Sequence, residues 1–122
     1  MRRPEVFGCV LSQSGAYWWT PKGHNGPHTP AIERELRPET VKQLRFYLEA
    51  GLFEAEGIDG DALAANRKLR DYLLHAGARI HYSEFAGGHD YLCWRASLSG
   101  GLIHLLANGE GGSATSTASQ QL

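Results

Sequence analysis

The chain has 122 residues, of which 42% are hydrophobic and 20% are charged, a size and composition that fit one globular domain and exclude a wholly disordered chain. Its 12 Lys and Arg residues stand against 13 Asp and Glu residues, and the resulting formal charge of −1 argues against nucleic-acid or anionic-lipid binding, which depend on clustered positive charge. No apolar run approaches the roughly 18 residues of a membrane span, so we expect neither a nucleic-acid partner nor a membrane partner.

The ends of the chain and its cysteines bear on location and on domain organisation. The first five residues lack the apolar stretch of a signal peptide, and two cysteines are too few for a disulfide framework. A reducing, cytoplasmic location is therefore expected. Residues 109–122 hold no apolar side chain larger than Ala before the last position, which predicts a disordered tail after one folded unit over residues 1–108.

Three short segments have the pattern of β-strands. Residues 6–12 form a continuous apolar run, typical of a strand buried on both faces of a parallel sheet. Residues 44–50 predict a second strand. Residues 78–83 alternate apolar and polar side chains, which favours a third strand at the edge of the sheet. Between the first two strands, the prolines and glycines of residues 17–30 predict a long irregular excursion.

Two longer segments have helical periodicity. Residues 62–76 place apolar side chains at i, i+3 and i+4, so that they form one stripe. Asp59 or Asp61 is expected to cap the start of this helix, and Gly77 stands where a left-handed residue ends one. Residues 91–105 predict a last amphipathic helix.

The order of these elements predicts the fold class. Residues 31–43 are charged and compatible with a helix that Pro38 interrupts. Alternation of strand, helix and strand implies right-handed crossovers. The sequence therefore predicts an α/β fold of three parallel strands with flanking helices, in three α/β/α layers.

Polar side chains follow the second and third strands of this predicted sheet. Glu54 comes shortly after one strand and His89 after the next. Ligands of parallel α/β sheets bind beyond the carboxyl ends of the strands, where both residues would lie. A histidine oriented by a carboxylate is two-thirds of an acyl-transfer triad. The same pattern also fits a solvated glutamate and a loop histidine that caps a helix.

Three segments carry more specific motifs: Pro4 to Trp19, ending in Ser-Gln-Ser-Gly-Ala-Tyr-Trp-Trp; Leu-Glu-Ala-Gly at 48–51 with Glu54; and Gly-Gly-His-Asp-Tyr-Leu-Cys-Trp-Arg at 87–95. Together they resemble the enterochelin (enterobactin) esterase family. Members of this family are α/β-hydrolases that cut the trilactone backbone of catecholate siderophores and so release iron. The resemblance covers residues 3–106 and is unspecific over residues 20–43.

The resemblance implies roles for particular residues. His89 matches the family's catalytic base, and Glu54 matches its acid. The family's nucleophile lies in a Gly-x-Ser-x-Gly elbow upstream of the matching region. No such motif occurs in this sequence, so the chain resembles the C-terminal portion of an α/β-hydrolase esterase. Neither Ser12 nor Ser14 has the flanking glycines of the elbow, and neither leads directly into a helix.

Aromatic and basic residues are candidates for binding such a substrate. Trp18 and Trp19 would stack on catechol rings. Arg95, together with Lys22, would attract an anionic ferric triscatecholate. The resemblance therefore implies a small-molecule ester substrate similar to a siderophore.

Other polar residues are less suited to catalysis. His24 and His28 are four residues apart but lack a third ligand for a metal site, and acyl-serine chemistry needs no metal and no organic cofactor. Asp90 is expected to cap a helix, since adjacent residues in a turn seldom face each other. His81 is expected to be solvated.

The sequence leaves two alternative functions open, and it also predicts self-association. A related esterase would act on feruloyl, acetyl or small thioester substrates. A non-catalytic truncated fragment would carry the acid and the base without a nucleophile. In the isolated chain, without the strand that would carry the nucleophile, the first strand would expose an unpaired edge, which predicts self-association with another copy.

Overall fold

The computed structural model describes residues 3–18, 32, 35–55 and 61–107 of the chain. Within these ranges, three parallel strands form a sheet in the order β1-β2-β3, so the predicted parallel α/β arrangement is present. The elements in chain order are β1 (Cys9–Gln13), α1 (Pro38–Val41), β2 (Arg45–Gly51), a 3₁₀ turn (Leu52–Glu54), α2 (Ala62–His75), β3 (Arg79–Phe85) and α3 (Tyr91–Ala107).

The hydrophobic core lies between the sheet and α2. Successive side chains of a strand point to opposite faces, and Phe46 and Leu48 of the central strand β2 both face α2. They pack against Leu69 and Leu73, which lie four residues apart on one stripe of that helix. Burying each such side chain contributes about 1.5–3 kcal/mol relative to exposure. The cluster is completed by Leu36, Val41 and Leu44.

Both ends of α2 are closed by the residues that the sequence indicates. Asp61 Oδ1 accepts a hydrogen bond from the Ala64 amide at 2.7 Å, so Asp61 is the N-cap, while Asp59 lies outside the described residues. At the other end, Gly77 has a φ of +76° and its amide donates to the carbonyl of Leu74. This left-handed residue turns the chain directly into β3.

The opposite face of the sheet is covered by α3. Gly101 lies against Leu11 of β1 and Tyr47 of β2, and a Cβ placed on it would stand 2.8 Å from Leu11 Cδ1. The absence of a side chain at this position lets α3 approach the sheet. On the same face, the His81 ring stacks on Tyr47 with centroids 4.8 Å apart. The expectation of a solvated His81 was therefore wrong, and burial together with the nearby His104 lowers its pKa.

The two neighbouring glycines of α3 provide a matched test of this packing. In Gly101→Ala, overpacking should lower the free energy of unfolding by about 1–3 kcal/mol. The higher helix propensity of alanine should offset ~1 kcal/mol of that loss. Gly100→Ala, where nothing lies within 4 Å of an added Cβ, should instead stabilise the chain. Urea unfolding of both variants measures the difference, and equal effects would contradict the close approach.

The start of the first strand differs from the sequence-based prediction, whereas the break at Pro38 agrees with it. The first strand begins at Cys9, three residues later than predicted, and all its residues are only partly buried. Val6 and Phe7 are exposed, and their amides donate to the Arg3 carbonyl in a turn that precedes β1. The helical segment breaks as predicted just before Pro38: Ile32 and Glu35 are helical, Leu36 and Arg37 are not, and Pro38 opens the first turn of α1, where its missing N–H has no intrahelical partner to lose.

Some predicted segments lie outside the described residues. These are the tail over residues 109–122 and most of the excursion over residues 17–30. No helix in the described part of the chain has the length and apolar character needed to cross a bilayer.

Candidate active site

The loops after β2 and β3 leave the sheet side by side. The two strands are parallel, and Gly51 lies opposite Phe85 in their register, so both end at the same edge. The Phe53 amide donates to the Gly87 carbonyl at 3.0 Å, which ties the two loops together. A Cβ on Gly51 would collide with that carbonyl and with the Glu54 carboxylate. The loops can therefore close on each other only with glycine at position 51.

Glu54 and His89 meet at this edge, where the sequence predicts them. His89 Nδ1 lies 3.1 Å from Glu54 Oε2, a hydrogen bond in which a protonated Nδ1 donates to the carboxylate. The Glu54 side chain is 3% exposed, whereas that of His89 is 54% exposed. The buried Glu54 carboxylate thus holds Nδ1 of the imidazole. The other ring nitrogen, Nε2, is the atom available for proton transfer.

The second oxygen of Glu54 is held by two further donors. Oε1 accepts from the Gly51 amide at 2.8 Å and from the Ser14 hydroxyl at 2.5 Å. A buried carboxylate needs such partners, since burial without them disfavours its charged form. Sequence reasoning considered Ser14 only as a nucleophile and missed this contact. Extending the strand-end rule to β1, which ends at Gln13, would have placed Ser14 at the same edge.

Both serines in the Leu-Ser-Gln-Ser-Gly run form hydrogen bonds with groups other than Nε2 of His89. The Ser14 hydroxyl donates to Glu54 Oε1, whereas the imidazole of His89 bonds the other oxygen, Oε2. Ser12 Oγ accepts from the Tyr17 hydroxyl at 2.5 Å, and burial raises the pKa of that phenol. These contacts give no support to either serine as a nucleophile.

Trp94, on the first turns of α3, touches both sides of the site. Its indole N–H donates to Ser14 Oγ at 3.0 Å. Its ring meets the His89 ring edge to face, with centroids 4.7 Å apart and an interplanar angle of 87°. The sequence motif contains Trp94, but no spacing rule indicates a contact across 80 residues of chain.

The other carboxylates near this edge have different partners. Asp90 Oδ1 accepts from the amides of Leu92 at 2.9 Å and Cys93 at 3.1 Å, so it caps α3 as predicted. The Cys93 amide and thiol lower the pKa of Asp90. Glu49 is buried and accepts from Gln13 Nε2 at 2.8 Å and from the Ser97 hydroxyl.

The predicted substrate-binding residues are only partly described. Trp18 is half-buried in the turn that follows Ser14, and Arg95 is exposed on α3, next to Trp94. Trp19 lies outside the described residues, as do Lys22, His24 and His28. Among the residues that the structure does describe, no three His, Cys, Asp or Glu side chains converge as a metal site would require.

Comparisons with known proteins place this chain among esterases. The Esterase family model matches residues 1–105. The iron(III) enterobactin esterase of Escherichia coli K12 is 41% identical over 104 residues, and an iron(III) salmochelin esterase of E. coli O6:H1 is 31% identical over 105 residues. These matches cover 84% and 81% of this chain.

Solved structures agree with this result. The enterobactin esterase of Shigella flexneri, crystallised in the presence of 2,3-dihydroxy-N-benzoyl-serine, is 38% identical and superimposes with a TM-score of 0.68 over 86% of this chain. The match covers 26% of that structure. The chain likewise spans only about a quarter of the length of the curated relatives, 24% in both cases named above.

Proposed function

Since the chain belongs to the enterochelin esterase family of α/β-hydrolases, we propose that it supplies the acid and the base of a serine esterase that opens the trilactone of a catecholate siderophore. The observation that carries this proposal is the hydrogen bond from His89 Nδ1 to the buried Glu54 carboxylate. It joins His89 of the Gly-Gly-His-Asp motif to Glu54, which follows the Leu-Glu-Ala-Gly motif by three residues.

The geometry assigns one task to each group. Glu54 keeps the proton of His89 on Nδ1 and stabilises the imidazolium that forms during the reaction. Nε2 then takes the proton of a serine hydroxyl, and the serine oxygen attacks the ester carbonyl. The C–O bond to the leaving alcohol breaks as His89 returns the proton to that alcohol, which leaves an acyl-serine. A water molecule, deprotonated by His89, releases the acid and regenerates the serine.

The serine itself is the part that this sequence does not provide. We propose that it comes from a Gly-x-Ser-x-Gly elbow in a segment outside these 122 residues, because the sequence contains no such motif. Reading the coding sequence directly upstream is a simple first check. An in-frame elbow within about 30 residues, the length of a strand–elbow–helix unit, would support the proposal.

Substrate recognition is assigned to three aromatic and basic residues of the motifs that resemble the family. Trp18 and Trp19 would stack on catechol rings, and Arg95 would attract the negative charge of a ferric catecholate. The Shigella relative was crystallised in the presence of a dihydroxybenzoyl-serine, which carries such a ring. This supports a catecholate over the feruloyl, acetyl or thioester substrates of other esterases.

A chimera tests the proposed function directly. The 122-residue chain alone should hydrolyse a trilactone siderophore no faster than background, because it holds no nucleophile elbow. We expect turnover when residues 1–105 replace the matching segment of the E. coli enterobactin esterase, which supplies its own upstream part. Product release followed by chromatography gives the rate.

Three outcomes would overturn this assignment or its substrate. Activity of the 122-residue chain alone, lost on Ser12→Ala or Ser14→Ala, would show that the nucleophile lies within it. A chimera that folds with a cooperative thermal transition but does not turn over would favour a non-catalytic fragment. Hydrolysis of acetyl or feruloyl esters in preference to the trilactone would select the alternative substrates.

A further inference from the structure

The Glu54 carboxylate divides its two oxygens between two tasks. Oε2 faces His89, while Oε1 is held by the Gly51 amide and the Ser14 hydroxyl. The Gly51 contact is local, since the two residues are three apart. The Ser14 contact joins β1 to the loop after β2, across 40 residues of chain. Ser14 thus joins His89 in bonding the carboxylate from outside its own loop, and the two side chains hold different oxygens.

The conformation of Ser14 is unusual for its residue type. It has a φ of +52°, in the left-handed region that non-glycine residues rarely adopt, and it is 3% exposed. Its amide donates to the Glu49 carbonyl at 2.8 Å, which continues the pairing of β1 with β2 by one residue. The strained backbone therefore has a visible effect: it directs the hydroxyl at the carboxylate instead of into the sheet.

Trp94 and Glu54 together fix the direction in which the Ser14 hydroxyl donates. A hydroxyl has one proton and two acceptor lone pairs. The indole N–H of Trp94 occupies a lone pair of Ser14 Oγ, so the single proton is left for Glu54 Oε1. The same indole ring packs edge-on against His89. The four side chains form a closed circuit of contacts: His89 to Glu54, Glu54 to Ser14, Ser14 to Trp94, and Trp94 back to His89.

From this circuit we propose that Ser14 is a positioning residue for the acid–base pair, oriented by Trp94, and that it acts by holding Glu54 so that His89 keeps its proton on Nδ1. The proposal rests on the proposed function for its catalytic consequence. Its structural content, the tautomer of His89, does not depend on turnover.

The tautomer is measured in the chimera labelled with ¹⁵N-histidine, because the 122-residue chain on its own is expected to self-associate through the edge of β1. Long-range ¹H–¹⁵N correlation spectra are recorded well above the ordinary histidine pKa of about 6.5, where imidazoles are neutral. We expect His89, identified by its absence in His89→Gln, to carry its proton on Nδ1. In Ser14→Ala and in Ser14→Gly, a measurable fraction of the His89 side chains should carry the proton on Nε2 instead. Ser12→Ala is the matched control and should leave His89 unchanged, since Ser12 bonds Tyr17.

The two Ser14 variants separate the hydroxyl from the backbone. A glycine at position 14 adopts the positive φ without strain, whereas an alanine adopts it only with strain. If position 14 acted only through its backbone, Ser14→Gly would keep the wild-type tautomer, and the proposal would be wrong. Trp94→Phe keeps a ring beside His89 but removes the indole N–H. It should produce a smaller shift in the same direction as Ser14→Ala.

The kinetic consequence is measured in the chimera. Ser14→Ala should lower kcat by roughly tenfold with KM unchanged, as expected for losing one hydrogen bond to a charged group that acts in the transition state. An unchanged tautomer together with kcat within twofold of wild type would overturn the proposal. A shifted tautomer in an inactive chimera would instead uphold the positioning role and refute the proposed function.

Discussion

His89→Ala in the chimera is expected to abolish ester hydrolysis, with kcat lowered by roughly 10⁴-fold or more, because the serine then has no base and the leaving alcohol no acid. KM should change little, since the imidazole acts on the reacting bond and not on substrate affinity. Steady-state kinetics on the trilactone measures both constants. His75→Ala serves as the control, because His75 is exposed at the end of α2, away from the acid–base pair.

Glu54 provides a graded version of the same test. Glu54→Gln keeps the shape of the side chain but removes the negative charge that accepts the Nδ1 proton of His89. The loss should be large but smaller than that of His89→Ala, as in triads where an acid is exchanged for its amide. Turnover that survives His89→Ala within tenfold would show that the base lies elsewhere in the chimera.

The 122-residue chain on its own is expected to self-associate at micromolar concentrations. Within the described sheet, β1 pairs with β2 on one side only, and Val6 and Phe7 just before it are 55% and 69% exposed. An unpaired edge flanked by apolar side chains is a template for a second copy of the chain. Val6→Lys together with Phe7→Lys should shift the population towards monomer, because charge opposes edge-to-edge pairing.

Size-exclusion chromatography with light scattering measures this shift. Leu74→Lys is the matched control, since Leu74 is a similarly exposed apolar residue on α2 and not at the sheet edge. It should leave the mass distribution unchanged. A monodisperse wild-type monomer with a cooperative thermal transition would contradict the prediction and show that the edge is covered.

Local sequence pattern determined the order and type of most elements. The i, i+3, i+4 spacing over residues 62–76 yielded α2, and Asp61 and Gly77 mark its ends. Such signals depend on residues a few positions apart, which interact within the element itself. Glu54 and His89 were placed at one edge by the rule that ligands of parallel sheets bind beyond the carboxyl ends of the strands. The helix between the two strands returns the chain to the start of the sheet, so both strands end at the same edge.

The tertiary structure alone decided the contacts between distant segments. Ser14 meets Glu54 across 40 residues and Trp94 across 80, and a hydroxyl or an indole in the sequence does not reveal which buried group it will face. The partial burial of β1 and the stacking of His81 on Tyr47 were likewise set by what packs on each face of the sheet. Sequence therefore determined that an acid and a base share one edge, whereas folding decided what holds them there, because side-chain partners depend on packing between elements and not on spacing within them.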